Sequence, residues 1–193
     1  VSTVSRVINN KPHVSEAKRQ RVQEAMDALG YSPLQAARQM RGSGSGNVAV
    51  VVPTITNNFF AHLVDSIERT CSKYAYRTLI IQTYGERAGE EEALNLLRMQ
   101  HADGAILCAI ENQWELIRKF TQYGRLVACN EYNEDHEISM ICGRQYEGFQ
   151  KATEYLLGKG HQRIAYCTGA KALVLQPKGL NIDSDRYRGF IET

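Results

Sequence analysis

Residues 47–82 read NVAVVVPTITNNFFAHLVDSIERTCSKYAYRTLIIQ. The apolar run 48–52 has the length of a strand and is closed by Pro53. Residues 59–74 follow with helical spacing, and 78–82 form a second strand-like run. Strand, helix and strand in that order make a βαβ unit, and the pattern continues outward. Further strand-like runs occupy 104–109, 126–129, 138–142 and 163–167, and helical stretches lie at 90–101, 113–123 and 144–157. This alternation predicts an α/β fold of parallel sheet with helices on both faces. Another helix begins near Arg186, and a sheet left at that point is unfinished, so more chain is expected beyond Thr193.

Ahead of the first strand, Gly42-Ser-Gly-Ser-Gly46 reads as a flexible joint. Ser32-Pro33 supplies an N-cap followed by proline at the first helical position, so 34–41 is a two-turn helix. A helix that short forms only when packed. Residues 1–30 read as two short helices separated by Asn9-Asn-Lys-Pro-His13. In the first, Val1, Val4, Val7 and Ile8 share a face. In the second, Ser15 is the N-cap, Val22, Ala25, Met26 and Leu29 form the apolar stripe, and Gly30 is the stop.

The charges divide the same way. Residues 1–46 hold seven basic and three acidic side chains, net +4, and the remainder holds 16 basic and 18 acidic, net −2. A small basic segment on a near-neutral body is the layout of a phosphate-binding headpiece joined to a sensing domain.

Several function classes are excluded. No run of about 18 apolar residues exists, so no membrane span is expected, and the start shows no signal-peptide pattern. The only glycine cluster precedes a strand, whereas a dinucleotide fingerprint follows one. The five histidines are dispersed, and neither a nucleophile elbow nor a P-loop is present, so the chain does not read as an enzyme. No cofactor and no metal site is expected. Cys108, Cys129, Cys142 and Cys167 lie in apolar runs without a C-x-x-C pair, and read as buried free thiols of a reducing compartment.

The segments Val1-Ser-Thr-Val-Ser-Arg-Val-Ile-Asn9, Val14-Ser15, Leu29-Gly-Tyr-Ser-Pro33 and Ala36-Ala-Arg38 resemble the DNA-binding headpiece of the lactose-repressor (LacI/GalR) family. Val50-Val-Val-Pro53, Asn57-Asn-Phe-Phe60, Asp103-Gly104, Leu157-Gly-Lys-Gly-His161 and Arg186-Tyr-Arg-Gly-Phe190 resemble its sensor domain in the same order.

The resemblance implies a cytoplasmic, nucleoid-associated bacterial repressor that binds operator double-stranded DNA as a homodimer. A small-molecule effector, a sugar or sugar derivative, would control it. Residues 1–30 would be a partial helix-turn-helix headpiece whose first helix lies upstream, and 31–46 the hinge helix and linker. Residues 47–142 would be the sensor's N-subdomain and 143–193 an incomplete C-subdomain, in the periplasmic-binding-protein fold. Val1 and Ser2 would read bases from the major groove, and Arg6 would contact guanine. Thr3, Ser5, Asn9 and His13 would hold phosphates, with Tyr31 also at the DNA, and Met40 would wedge into the minor groove. Leucine is usual at the Met40 position.

The effector would lie beyond the carboxyl ends of the strands, against Asn58, Phe59, Phe60 and Arg186. Core packing accounts more cheaply for at least one of the two phenylalanines. The stretch 171–185 is longer than the family's usual loop. The alternative is a small-molecule-binding protein of the periplasmic type without a DNA function.

Overall fold

The computed structural model describes residues 3–8, 12–29, 44–133, 137–168 and 181–193. The chain divides into two compact units, Val1–Ser45 and Gly46–Thr193.

In the first unit, α1 (Thr3–Ile8) precedes α2 (Glu16–Ala28). Ser15 starts α2 through its backbone. Its carbonyl accepts from the Lys18 and Arg19 N–H groups at 3.0 Å, while its hydroxyl makes no capping bond. Val7 is buried, but α2 has no buried residue. Of the expected stripe, Val22 and Met26 are half-buried, and Ala25 and Leu29 are exposed. The expected stop, Gly30, and the expected hinge helix lie outside the described residues.

The second unit is a five-stranded parallel sheet in the order β2-β1-β3-β4-β5. Its strands are β1 (Asn47–Val52), β2 (Arg77–Gln82), β3 (Gly104–Leu107), β4 (Arg125–Cys129) and β5 (Ser139–Ile141). Its helices are α3 (Asn58–Lys73), α4 (Arg87–Arg98), α5 (Trp114–Arg118), α6 (Gln145–Gly158) and α7 (Ile182–Ile191).

The alternation of β1 sorts the core. Ala49 and Val51 join one cluster with Ala93, Leu94 and Leu97 of α4 and Ile117 of α5. Val50 and Val52 face the other side, with Phe60, Leu63, Val64 and Ile67 of α3. Those four α3 residues are spaced i, i+3, i+4, i+7, one helical stripe laid on one sheet face. Helices thus cover both faces, as a parallel sheet requires. Gly124 has no room for a side chain: a Cβ there would sit 2.8 Å from the Asp103 carbonyl oxygen. At Gly189 a Cβ would collide with the Tyr146 carbonyl, so glycine is what lets α7 lie against α6. Tyr166 closes the far side of that pair, its ring 5.8 Å from Phe149, 5.6 Å from Tyr187 and 5.4 Å from Phe190.

Three expectations are corrected. Residues 163–167 are not a strand; they run without regular structure, with no strand alongside among the described residues, and a strand exists only through its ladder. The last helix begins at Ile182 rather than near Arg186, because the Asn181 side chain caps it by accepting from the Ser184 N–H at 2.8 Å. Of the four thiols expected to be buried, Cys108 is buried and Cys129 half-buried, but Cys142 and Cys167 are exposed. Cys142 follows β5, the edge strand of the sheet, and Cys167 lies in the irregular segment.

Candidate effector site and nucleic-acid interface

Three loops leave the carboxyl ends of β1, β3 and β4, which are consecutive in the sheet, and each is fixed by its own hydrogen bonds. After β1, the Thr54 hydroxyl pairs with that of Thr56 at 2.9 Å, and Gln82 Oε1 accepts from the Ile55 N–H at 2.9 Å. Asn57 Oδ1 accepts from the Phe59 N–H at 2.9 Å, capping α3. Asn58 is therefore the exposed first residue of a capped helix. Phe59 is 50% exposed and meets Phe60 edge-on at 5.2 Å. Phe60 packs on Val50, Val52 and Cys108, so of the two rings Phe59 is the one left facing outward.

After β3, the loop is held from below by a buried acid. Glu90 is fully buried. Its Oε1 accepts from the Glu111 N–H at 3.0 Å, and its Oε2 from the Asn112 N–H at 2.9 Å and from Asn112 Nδ2 at 2.7 Å. Arg87 Nε adds a 3.0 Å bond to the Glu111 carbonyl. Burial, and then the nearby Glu90, push the Glu111 carboxyl above its ordinary range.

After β4, Asn130 adopts φ +64° and donates its N–H to the Ile141 carbonyl at 2.7 Å. Here the start of α6 and the start of α7 meet the loop. Arg186 Nε donates to Gln145 Oε1 at 2.8 Å, and Gln145 Nε2 reaches Asn130 Oδ1 at 3.4 Å. Arg186 also lies 3.7 Å from Asp183, and the Tyr132 hydroxyl donates to Asp185. Arg186 thus stands at the carboxyl end of β4, while Asn58, Phe59 and Phe60 stand at that of β1.

Glu131 belongs to this junction. Its carboxyl is pushed up to about 7, first by burial and then by Asp183, against the opposing pull of Arg186. The folded state therefore holds the Glu131 proton more tightly than the unfolded chain, where the group titrates near 4.5. Stability from the neutral carboxyl is fully present below pH 4.5 and is lost as the pH rises to about 7. Glu131→Gln removes that dependence. In urea titrations across this range, wild type should lose about 2 kcal/mol more than the variant, after allowance for partial solvent contact. Parallel curves for the two proteins would show that Glu131 is not perturbed.

Sequence reasoning missed Glu90, Glu131, Tyr132 and Gln145. Glu90 had a signal: with Ala93, Leu94 and Leu97 it completes the i, i+3, i+4, i+7 stripe of α4, so it had to face the core. The other three are brought to Arg186 by tertiary structure alone.

In the first unit, α1 leaves Thr3 and Arg6 exposed and Ser5 half-buried while Val7 is buried. His13 is exposed, at φ +67°. Val1, Ser2, Asn9, Tyr31 and Met40 lie outside the described residues.

Comparison with known proteins gives the family. Residues 1–33 match the family model described as bacterial regulatory proteins, lacI family. Residues 45–189 match that of periplasmic binding proteins and sugar binding domain of LacI family. The NTD biosynthesis operon regulator NtdR of Bacillus subtilis (strain 168) is 35% identical over 166 residues, covering 86% of this chain and 50% of that protein. The ribose operon repressor of Halalkalibacterium halodurans is 33% identical, over 100% of this chain and 55% of its own length. Among solved structures, a LacI family transcriptional regulator from Lactobacillus casei with bound glucose superposes with a TM-score of 0.64 at 28% identity, over 76% of this chain and 53% of that one. The chain spans about half the length of the curated relatives it matches. On the family models that match its two units, this chain belongs to the LacI family of bacterial regulatory proteins.

Proposed function

We propose that the chain acts in a sequence-specific repressor of operator DNA whose grip is set by a small sugar-like effector, and that it has no enzymatic role. The observation that carries this reading is the placement of Arg186. A charged fork is held by Gln145 at the carboxyl end of β4, where an open parallel sheet takes its ligands. The relatives' names point the same way: one is a ribose operon repressor, and one solved relative holds glucose. No helix among the described residues is long and apolar enough to cross a membrane, and the proposed setting is the bacterial cytoplasm, at the nucleoid.

Two copies would bind a pseudo-palindromic operator, each laying α1 in the major groove, with Val1 and Ser2 on bases and Thr3, Ser5, Asn9 and His13 on phosphates. Tyr31 and the Met40 wedge would act at the hinge. Effector bound against Asn58, Phe59, Phe60 and Arg186 would bias the equilibrium only by its differential affinity for the two arrangements. The domain limits 1–30, 31–46, 47–142 and 143–193 are part of the same proposal.

A thermal-shift screen with D-ribose, D-glucose, sugar phosphates and purines tests the sensor, since a ligand of the folded state raises Tm by mass action. A saturable shift supports the reading, and silence from the folded protein counts against it. On the DNA side, Arg6→Ala should cost about 1–3 kcal/mol and relax specificity at one base pair, measured by selection from randomised duplexes. A uniform loss on all sequences would make Arg6 a phosphate contact.

A further inference from the structure

The register of β3 and β4 brings two thiols together beneath the loops just described. Leu107 pairs with Ala128, so the next rung sets Cys108 beside Cys129. The rung is held on both outer sides: the Cys108 N–H donates to the Val51 carbonyl at 2.9 Å, and Cys129 pairs with Ile141 of β5. Neighbouring strands lie about 4.8 Å apart, inside the Cα separation that a disulfide spans. Both thiols lie on the α3 side of the sheet with Val50, Val52 and Phe60. Access is unequal, since Cys108 is buried and Cys129 half-buried.

We infer that Cys108 and Cys129 form a reversible oxidation site in the cleft floor, a dithiol that a small peroxide closes to a disulfide, remodelling the loops after β3 and β4.

The chemistry assigns each sulfur a part. The neighbouring Cys108 draws the Cys129 thiol below its ordinary range, while Cys108 itself is pushed up by Cys129 and by burial. Cys129 is therefore the attacking thiolate. It takes one oxygen from hydrogen peroxide, breaking the O–O bond and releasing hydroxide, and becomes a sulfenic acid. The Cys108 sulfur then attacks the Cys129 sulfur, and its proton leaves with the hydroxyl as water. In sum, two thiols and one peroxide give one disulfide and two waters; the sulfurs lose two electrons and the peroxide gains them. Side-by-side positions on parallel strands point their Cβ atoms along one direction rather than at each other, so the bridge is strained. Strained bridges are readily reduced, which makes this one a switch rather than a staple. Cys108 is two residues from the Ile110–Asn112 loop that Glu90 holds, and Cys129 immediately precedes Asn130 and Glu131. That the switch alters effector binding rests on the effector reading above; the site itself does not.

The test needs no effector. The reduced chain is treated at neutral pH with equimolar hydrogen peroxide, alkylated, digested and mapped by mass spectrometry. The expected product is a Cys108–Cys129 cross-link that dithiothreitol reverses, formed ahead of oxidation at the exposed Cys142 and Cys167. In Cys108→Ser the same treatment should leave Cys129 as a sulfenic acid trapped by dimedone. Amide exchange at residues 109–112 and 130–132 should differ between the oxidised and reduced wild-type chain. Recovery of Cys108 and Cys129 as intact thiols while Cys142 or Cys167 is oxidised would overturn the inference, as would unchanged exchange in both loops after cross-linking.

Discussion

Arg186→Ala should strongly weaken the thermal response to whichever sugar shifts the wild type, while leaving operator affinity unchanged. The guanidinium carries five donors. One bonds Gln145, and another faces Asp183 at 3.7 Å, which leaves the rest of the fork for a ligand hydroxyl in a half-buried setting. Hydrogen bonds to a charged group contribute about 1.5–3 kcal/mol, so effector affinity should fall roughly 10- to 150-fold. Arg186→Lys keeps the charge but not the planar fork, and should restore little of the response. The variant also leaves Asp183 and Glu131 without their cation, so its unliganded Tm must be measured beside wild type to separate instability from lost binding. An undiminished shift in a folded Arg186→Ala protein would remove Arg186 from the effector site.

What could be read from the sequence was whatever local pattern determines. The sheet was legible because its strands are short apolar runs and its helices carry a 3.6-residue period. Even the split of β1 into Ala49/Val51 and Val50/Val52 faces follows from a period of two. Residues 163–167 show the limit, since an apolar run says nothing about whether a partner strand lies beside it. The start of α7 is set by a capping signal at Asn181, three residues before the Ser184 N–H it satisfies, and not by the Arg186-Tyr-Arg-Gly-Phe190 motif. The junction at the β4 loop was not legible at all. Tyr132 and Asp185 are 53 residues apart, and Arg186 and Gln145 are 41 apart, and neither pair has a periodic or spacing signature. The family resemblance alone pointed to Arg186; its partners required the fold.

Glu90→Leu should destabilise the second unit by about 2–4 kcal/mol. Leucine matches the apolar stripe of α4 and would by itself be favourable, since Ala93, Leu94 and Leu97 already line that face. The cost lies in the loop. Glu90 accepts three hydrogen bonds, two of them from the backbone N–H groups of Glu111 and Asn112, and leucine accepts none. Those donors are only partly buried, so water recovers some of the loss and the cost stays below the full penalty for orphaning three hydrogen bonds. Glu90→Gln separates charge from geometry. The amide oxygen can still accept both bonds from Asn112, but its NH₂ then faces the Glu111 N–H, so the variant should fall between wild type and Glu90→Leu in urea midpoint. On the proposed effector reading both variants should also weaken sugar binding, because the loop after β3 loses its anchor. A Glu90→Leu protein as stable as wild type would mean that the loop holds its place without the carboxylate. The buried acid would then have to be explained by something it contacts when ligand is bound.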